Sequence, residues 1–457
     1  MPTLTIQNPA TGETLAALPA DDEASVALKA SRARAAQPQW ARTGIGERVA
    51  AVERFRAGLV AEHEQLALTL TREVGKPITQ SRNELNGLLP RIDYFTSQVG
   101  AAVGEETVHA EPGLCEQISH PPLGVVANVS AWNYPYFVGA NVFVPALLTG
   151  NAVLYKPSEH ATLTGLAIAR LLHAAGIPPD VFQPVVGAGE VGAALVAQDV
   201  DGVYFTGSHA TGARIAAAVG PRMIRMQLEL GGKDPTYVRA DADVRAAAES
   251  LADGAMYNTG QSCCSVERIY VHEDVHDAFV ERFAEVVAGF RVGNPESEDT
   301  YIGAITRAPQ LDVLDAQVSD AIARGAKLVC GGKRIAGPGN WYAPTVFTAV
   351  DHTMSLMREE SFGPIIGIQA VGGDDEAVAL MNDTRYGLTA GVYSRDERVA
   401  RALLARVNAG SVYWNCCDRV SPRLPWSGLG HSGMGLTLSR YGIQAFTRPK
   451  AWHLRNA

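Results

Sequence analysis

At 457 residues, with 47% hydrophobic and 19% charged side chains and no low-complexity tract, the chain has a globular composition and room for two or three domains. Its formal net charge of −9, without a run of Lys or Arg, argues against a nucleic-acid partner. No basic-then-apolar leader opens the chain, no apolar run reaches the roughly 18 residues of a membrane span, and the six cysteines, four of them in two vicinal pairs, read as reduced thiols, so a cytoplasmic protein without a membrane partner is expected.

After an extended start and a turn at Asn8-Pro9-Ala10-Thr11-Gly12, two or three helices are predicted. In one of them Val49, Val52, Phe55 and Leu59 recur at three- and four-residue steps, and Gly75-Lys76-Pro77 supplies a stop signal. Residues 104–120 read as a polar, extended excursion. From Gly124 strand-like runs (Gly124–Val129, Ala152–Tyr155, Val181–Val186, Gly202–Phe205, Ile224–Leu230) alternate with helical ones such as Leu163–Ala175. That alternation predicts a parallel sheet with helices on both faces, whose ligands bind at the carboxyl ends of the strands. A second α/β series follows Pro235, with strands at Arg268–Val271, Ile365–Val371, Thr389–Tyr393 and Ser411–Trp414 and helices near 244–255, 275–289 and 396–407. The tail Phe446–Leu454 reads as a lone ribbon, and a strand without a local neighbour invites pairing with another subunit.

Two motif matches carry little. Gly187-Ala188-Gly189-Glu190-Val191-Gly192 fits a dinucleotide fingerprint, but Asp199 and Asp201 come too early for its acidic partner. His272-Glu273-Asp274-Val275-His276 fits a zinc motif, yet His272 ends a strand and Asp274 reads as the cap of the next helix, so the rings should diverge and no metal is expected. Other strand ends carry more chemistry. Gly207-Ser208 opens a helix that offers free N–H groups to an anion, and Lys156-Pro157-Ser158-Glu159 also follows a strand. Asn133, in Trp132-Asn133-Tyr134-Pro135, is a neutral donor suited to an oxyanion. Glu229 ends an apolar strand, and Cys263 follows a Gly-Gln turn: a candidate base and a candidate nucleophile. Singly, Glu229 fits a structural ion pair and Cys263 an inert buried thiol equally well.

Taken together, these motifs, with Leu228-Glu229-Leu230-Gly231-Gly232-Lys233, Gly260-Gln261-Ser262-Cys263, Glu359-Glu360-Ser361-Phe362-Gly363-Pro364 and Ser411-Val412-Tyr413-Trp414-Asn415, resemble the aldehyde dehydrogenase superfamily in order and spacing over nearly the whole chain. The resemblance implies an α/β fold of two doubly wound domains. A Rossmann-like cofactor domain would comprise 1–103 and 121–230, a catalytic domain 231–430, and an oligomerisation β-ribbon with the C-terminal tail 104–120 and 431–457, in a homodimer or homotetramer. It implies oxidation of a small aldehyde with NAD, NADP remaining open. Cys263 would be the nucleophile, Glu229 the base, and Asn133 with the Cys263 N–H the oxyanion hole. Lys156 and Glu159 would hold the adenosine ribose, Ser208 and Trp132 the pyrophosphate region, and Glu360 and Phe362 the nicotinamide end, with Leu230 a further cofactor-binding residue. A carboxylate at Glu159 would repel a 2′-phosphate, which favours NAD. The presence of Glu229 favours thioester hydrolysis over transfer to coenzyme A.

The chain departs from the family pattern at Ala131 (usually Pro), at Pro425-Trp426-Ser427-Gly428 and at Met434-Gly435-Leu436, which weakens any transfer of substrate identity. The expected substrate mouth comprises Tyr134, Val138, Asn141, Ser262, Cys264 and the loop 417–423 leading to Trp426. Arg419 and Arg423 are candidates to pair with a far carboxylate, as in succinate semialdehyde, or are simply solvated. The competing functions are a cysteine esterase or acyltransferase without redox chemistry and a non-enzymatic protein on the same fold.

Overall fold

The computed structural model describes residues 2–456. An N-terminal hairpin (Thr3–Gln7 with Thr14–Pro19) leads into four helices, ending in the long helix Ile78–Val103. Gly75 closes the third of these in the left-handed region at φ +78°, where a Cβ would lie 2.9 Å from the Ala304 carbonyl oxygen, so the predicted stop needs a glycine.

The first sheet runs in the order Gly433–Met434, Arg225–Glu229, Gly202–Thr206, Val125–Val129, Ala152–Lys156, Phe182–Pro184. All neighbours are parallel except the short first strand. Its central strands Val125–Val129, Ala152–Lys156 and Gly202–Thr206 are short, mostly apolar and buried along nearly their whole length, the pattern a doubly wound sheet requires. Strand order reverses between Val125–Val129 and Gly202–Thr206, which opens a crevice at their carboxyl ends.

The second sheet is ordered Lys327–Cys330, Thr345–Thr348, Ile365–Val371, Val266–His272, Asp234–Val238, Thr389–Tyr393, Ser411–Trp414. It is parallel apart from its first strand. The strands Ile365–Val371, Thr389–Tyr393 and Ser411–Trp414 coincide with the expected runs.

Two expectations need correction. The tail strand Lys450–Arg455 is not alone: it pairs antiparallel with Leu114–Ser119 of the same chain, which in turn pairs with Glu106–Glu111. Gly433–Met434 joins the first sheet, and Ile443 and Phe446 are buried in that sheet's core. The helix after His272 is Glu273–Ala288, and its cap is His272 rather than Asp274: the imidazole Nδ1 accepts from the Asp274 N–H at 3.3 Å. Among the described residues no helix is long and apolar enough to cross a membrane.

Candidate active site

The residues singled out from the sequence converge on one crevice. Trp132-Asn133, Lys156, Ser208 and Glu229 sit at or just past the carboxyl ends of four adjacent parallel strands of the first sheet. The turn carrying Cys263 and the loop carrying Glu360 and Phe362 approach from the amino ends of two adjacent strands of the second sheet.

Local backbone geometry holds the Cys263 turn. Asn258 and Thr259 are left-handed at φ 53° and 59°, and Gly260 follows at φ +70°. A Cβ on Gly260 would lie 2.1 Å from the Gly363 carbonyl oxygen, so only glycine lets the two loops meet. Gln261 pins the turn by accepting the Thr306 N–H at 2.9 Å and donating to the Asn258 carbonyl at 3.2 Å. The Asn133 amide donates to the Gln261 carbonyl at 3.1 Å, tying the first sheet to the same turn. The Cys263 N–H donates to no protein group among the described residues.

The Cys263 thiol donates to Glu229 Oε1 at 3.6 Å. That carboxylate is buried, accepts the Trp426 indole N–H at 3.0 Å and the Thr206 hydroxyl at 3.4 Å, and is pushed up by burial against the lowering effect of these donors. The neighbouring Cys264 thiol favours the Cys263 thiolate, but burial and the nearby Glu229 charge outweigh it and push Cys263 up to about 11. Cys264 instead donates to Asp418 at 2.9 Å and touches the Ser262 hydroxyl at 3.5 Å. Asp418 belongs to the expected mouth loop 417–423. It holds a left-handed φ of 48° at the tip of the loop and is pushed up by burial.

On the other side, the Lys156 ammonium is buried and lies 3.3 Å from the Pro157 carbonyl and 3.9 Å from half-exposed Glu159. Burial raises the Glu159 pKa, but the Lys156 charge overcomes this and leaves it below its ordinary value. Ser208 caps the helix His209–Val219 through the Thr211 N–H, and Leu230 is buried beneath Gly212 of that helix. Trp132 meets Phe362 edge-to-face at 5.5 Å. Glu360 accepts the Gly232 N–H at 3.0 Å and is pushed up to about 8 by burial and the nearby Glu267 charge.

Sequence reading missed the clasp behind Glu360. Lys233 and Glu267 form a buried pair at 2.6 Å; Glu267 accepts the Ser361 and Phe362 N–H groups at 2.8 and 3.0 Å, and Lys233 reaches the Ser361 hydroxyl at 3.0 Å. The motif residue Lys233, next to two glycines, was visible; its partner 34 positions on was not. Of the expected mouth, Val138, Asn141, Ser262, Cys264 and Trp426 are buried and Tyr134 is half-buried, whereas Arg419 and Arg423 are exposed. Arg419 reaches no side chain, only the Asp418 carbonyl at 3.5 Å.

The family model described as Aldehyde dehydrogenase family matches residues 2–452. The chain belongs to that family. This aldehyde dehydrogenase is 36% identical over 461 residues to the 3,6-anhydro-alpha-L-galactose dehydrogenase of Streptomyces coelicolor, covering 100% of this chain and 94% of that protein. It is 35% identical to the NAD(P)+ succinate semialdehyde dehydrogenase Sad of Escherichia coli over 449 residues, 96% of this chain and 95% of that one. Among solved structures, the NAD-dependent aldehyde dehydrogenase from Sinorhizobium meliloti superimposes with a TM-score of 0.97 at 35% identity, covering 99% of this chain and 91% of that one. The protein is therefore an NAD(P)-dependent enzyme that oxidises small aldehydes.

Proposed function

We propose that this aldehyde dehydrogenase works through a covalent thioester on Cys263, hydrolysed with Glu229 as base. The observation that carries the reading is the Cys263 thiol 3.6 Å from the Glu229 carboxylate, beside an asparagine amide and a backbone N–H that no protein carbonyl claims.

The crevice suits a dinucleotide. Lys156 is a buried cation with only a carbonyl and a distant carboxylate beside it, donors and acceptors of the kind ribose hydroxyls need. Lys156 and Glu159 would hold the ribose, Ser208 and Trp132 the pyrophosphate region, and Glu360 and Phe362 the nicotinamide end, with Leu230 a further cofactor-binding residue; the Glu159 carboxylate favours NAD over NADP. When bound, the cofactor accepts the hydride from the substrate carbon.

Burial keeps the Cys263 thiol protonated at neutral pH, and Glu229 is the acceptor at hand for its proton. The thiolate adds to the aldehyde carbonyl, and the oxyanion is met by the second Asn133 amide hydrogen and the Cys263 N–H. After oxidation the acyl group remains on sulfur. Glu229, its pKa raised by burial, first releases the thiol proton to solvent and then takes a proton from water; the hydroxyl adds to the thioester, and the C–S bond breaks to give the carboxylic acid and the Cys263 thiolate.

An ω-carboxylated aldehyde such as succinate semialdehyde is the proposed substrate, in keeping with the name of the Escherichia coli relative. The exposed strands Glu106–Glu111 and Lys450–Arg455 leave two open edges on the three-stranded sheet, which suits assembly into a dimer or tetramer, and six free cysteines suit a reducing cytoplasm. The test is a panel of aldehydes with NAD and NADP, run beside Cys263→Ala. NADH formation that disappears in the variant is expected, with kcat/KM for succinate semialdehyde above that for an uncharged aldehyde of equal length. Turnover retained by Cys263→Ala refutes the mechanism.

A further inference from the structure

Three arginines are buried among the described residues, and two are structural in an evident way. Arg48 is wrapped by the carbonyls of Leu148, Trp40, Ala41 and Thr43. Arg268 donates to the carbonyls of Lys233, Leu380 and Met381 and to the Tyr270 hydroxyl. A buried guanidinium whose donors are satisfied in this way is a brace, and its burial has been compensated.

Arg91 differs. It is 5% exposed, yet it makes a single hydrogen bond, from Nη1 to the Asn141 amide oxygen at 2.9 Å. Among the described residues no carboxylate lies within ion-pair distance, and its Nε and Nη2 atoms, though without protein partners, are not among the fully sealed polar atoms and so retain some access to space outside the packed protein. A cation left this way in the interior costs several kcal/mol on an order-of-magnitude scale unless something completes it.

Its position says where that space lies. The helix Ile78–Val103 packs on the helix Pro135–Leu148, which begins directly after Asn133-Tyr134. The guanidinium carbon lies over the Phe137 ring, 4.0 Å from its centroid, and Phe137 stacks on Tyr134 at 5.9 Å with the rings 6° from parallel. Gly87, one turn before Arg91, makes the stack possible, since a Cβ there would come within 2.7 Å of the Phe137 ring. The column Arg91–Phe137–Tyr134 thus leads to Asn133 and the Cys263 turn. Burial lowers Arg91 to about 10, which leaves it cationic at neutral pH.

We propose that Arg91, presented by Asn141 and Phe137, binds the far-end carboxylate of the aldehyde substrate and so sets the specificity of the site. This rests on the Cys263 reading above and replaces the exposed Arg419 and Arg423 as the anion-binding group. A guanidinium with two free donors offers a carboxylate a charge-assisted contact, and the apolar Phe137 face beneath keeps water from competing.

The test compares kcat/KM for succinate and glutarate semialdehydes, each against its own methyl ester, in wild type, Arg91→Met and Asn141→Asp. Wild type prefers the acids. Arg91→Met lowers the acid-to-ester ratio by about ten- to a hundred-fold, the worth of a hydrogen bond to a charged group. Asn141→Asp, which gives the guanidinium its own carboxylate, raises KM for the acids more than for the esters and remains informative should Arg91→Met not fold. Three results overturn the proposal: a wild type that treats acids and esters alike, an Arg91→Met enzyme of native thermal stability with an unchanged ratio, or equal losses on acids and esters, the mark of a merely structural arginine. A wild type that turns over no aldehyde refutes the Cys263 reading instead.

Discussion

Trp426→Phe isolates the strongest hold on the proposed base. Glu229 has three donors, and the 3.0 Å indole N–H is the shortest; the Thr206 hydroxyl at 3.4 Å and the thiol at 3.6 Å are weaker. Phenylalanine keeps most of the buried ring and removes only the donor. A hydrogen bond to a charged group contributes about 1.5–3 kcal/mol, and a pKa unit corresponds to about 1.36 kcal/mol, so the charged form should lose about one to two units of preference. Burial already raises this carboxyl, and the indole lowers it. Removing the indole therefore moves the pKa further up. Because the base acts deprotonated, the acidic limb of the kcat profile shifts to higher pH by about one to two units. The assay is steady-state NADH production across pH, with a melting curve to confirm folding. An acidic limb that stays put, or moves down, refutes Glu229 as the base governing turnover.

Gly260→Ala forces a side chain into a left-handed φ against the Gly363 carbonyl, and should lose more than about 2 kcal/mol in urea unfolding together with most activity; unchanged stability would mean the two loops are not held at this contact. Glu267→Gln leaves Lys233 buried without its counter-charge, so a loss of about 3–5 kcal/mol is expected, with a raised KM for NAD because Ser361 and Phe362 are left one neutral amide oxygen in place of two carboxylate oxygens; a KM unchanged in the folded variant would separate the clasp from cofactor binding. Burial raises Glu73 to about 7 from an ordinary 4.5, although the Leu163 and Thr164 N–H groups donate to it. A carboxyl raised on folding contributes stability that is full below the unfolded value and lost as pH rises through the folded one. Glu73→Gln should therefore flatten the fall of Tm between about pH 4.5 and 7; an unaltered slope contradicts the assignment.

The cofactor-side crevice was legible because its residues follow strands whose apolar runs are unmistakable: Lys156, Glu229 and Ser208 each end or follow one. The tail was misread because pairing between Lys450–Arg455 and Leu114–Ser119 spans most of the chain, and no local signal announces it. The same holds for Glu267, an acidic residue in a strand whose buried partner lies in another loop. Arg91 did leave a trace. Glu84, Leu88, Arg91 and Phe95 recur at four- and three-residue steps, so the arginine falls on the buried stripe of its helix, where a surface charge would not. Arg419 and Arg423 drew attention through loop position alone, and a loop tip says nothing about where a long side chain points.

The most direct test of the covalent account is a single-turnover experiment on Glu229→Gln. Mixed with aldehyde and NAD, the variant, which has also lost the acceptor for the thiol proton, should release NADH more slowly than wild type, up to about one equivalent per active site, and then stall, with the acyl mass retained on the peptide carrying Cys263. Continued turnover at the wild-type rate, or an acyl group found elsewhere, would contradict it.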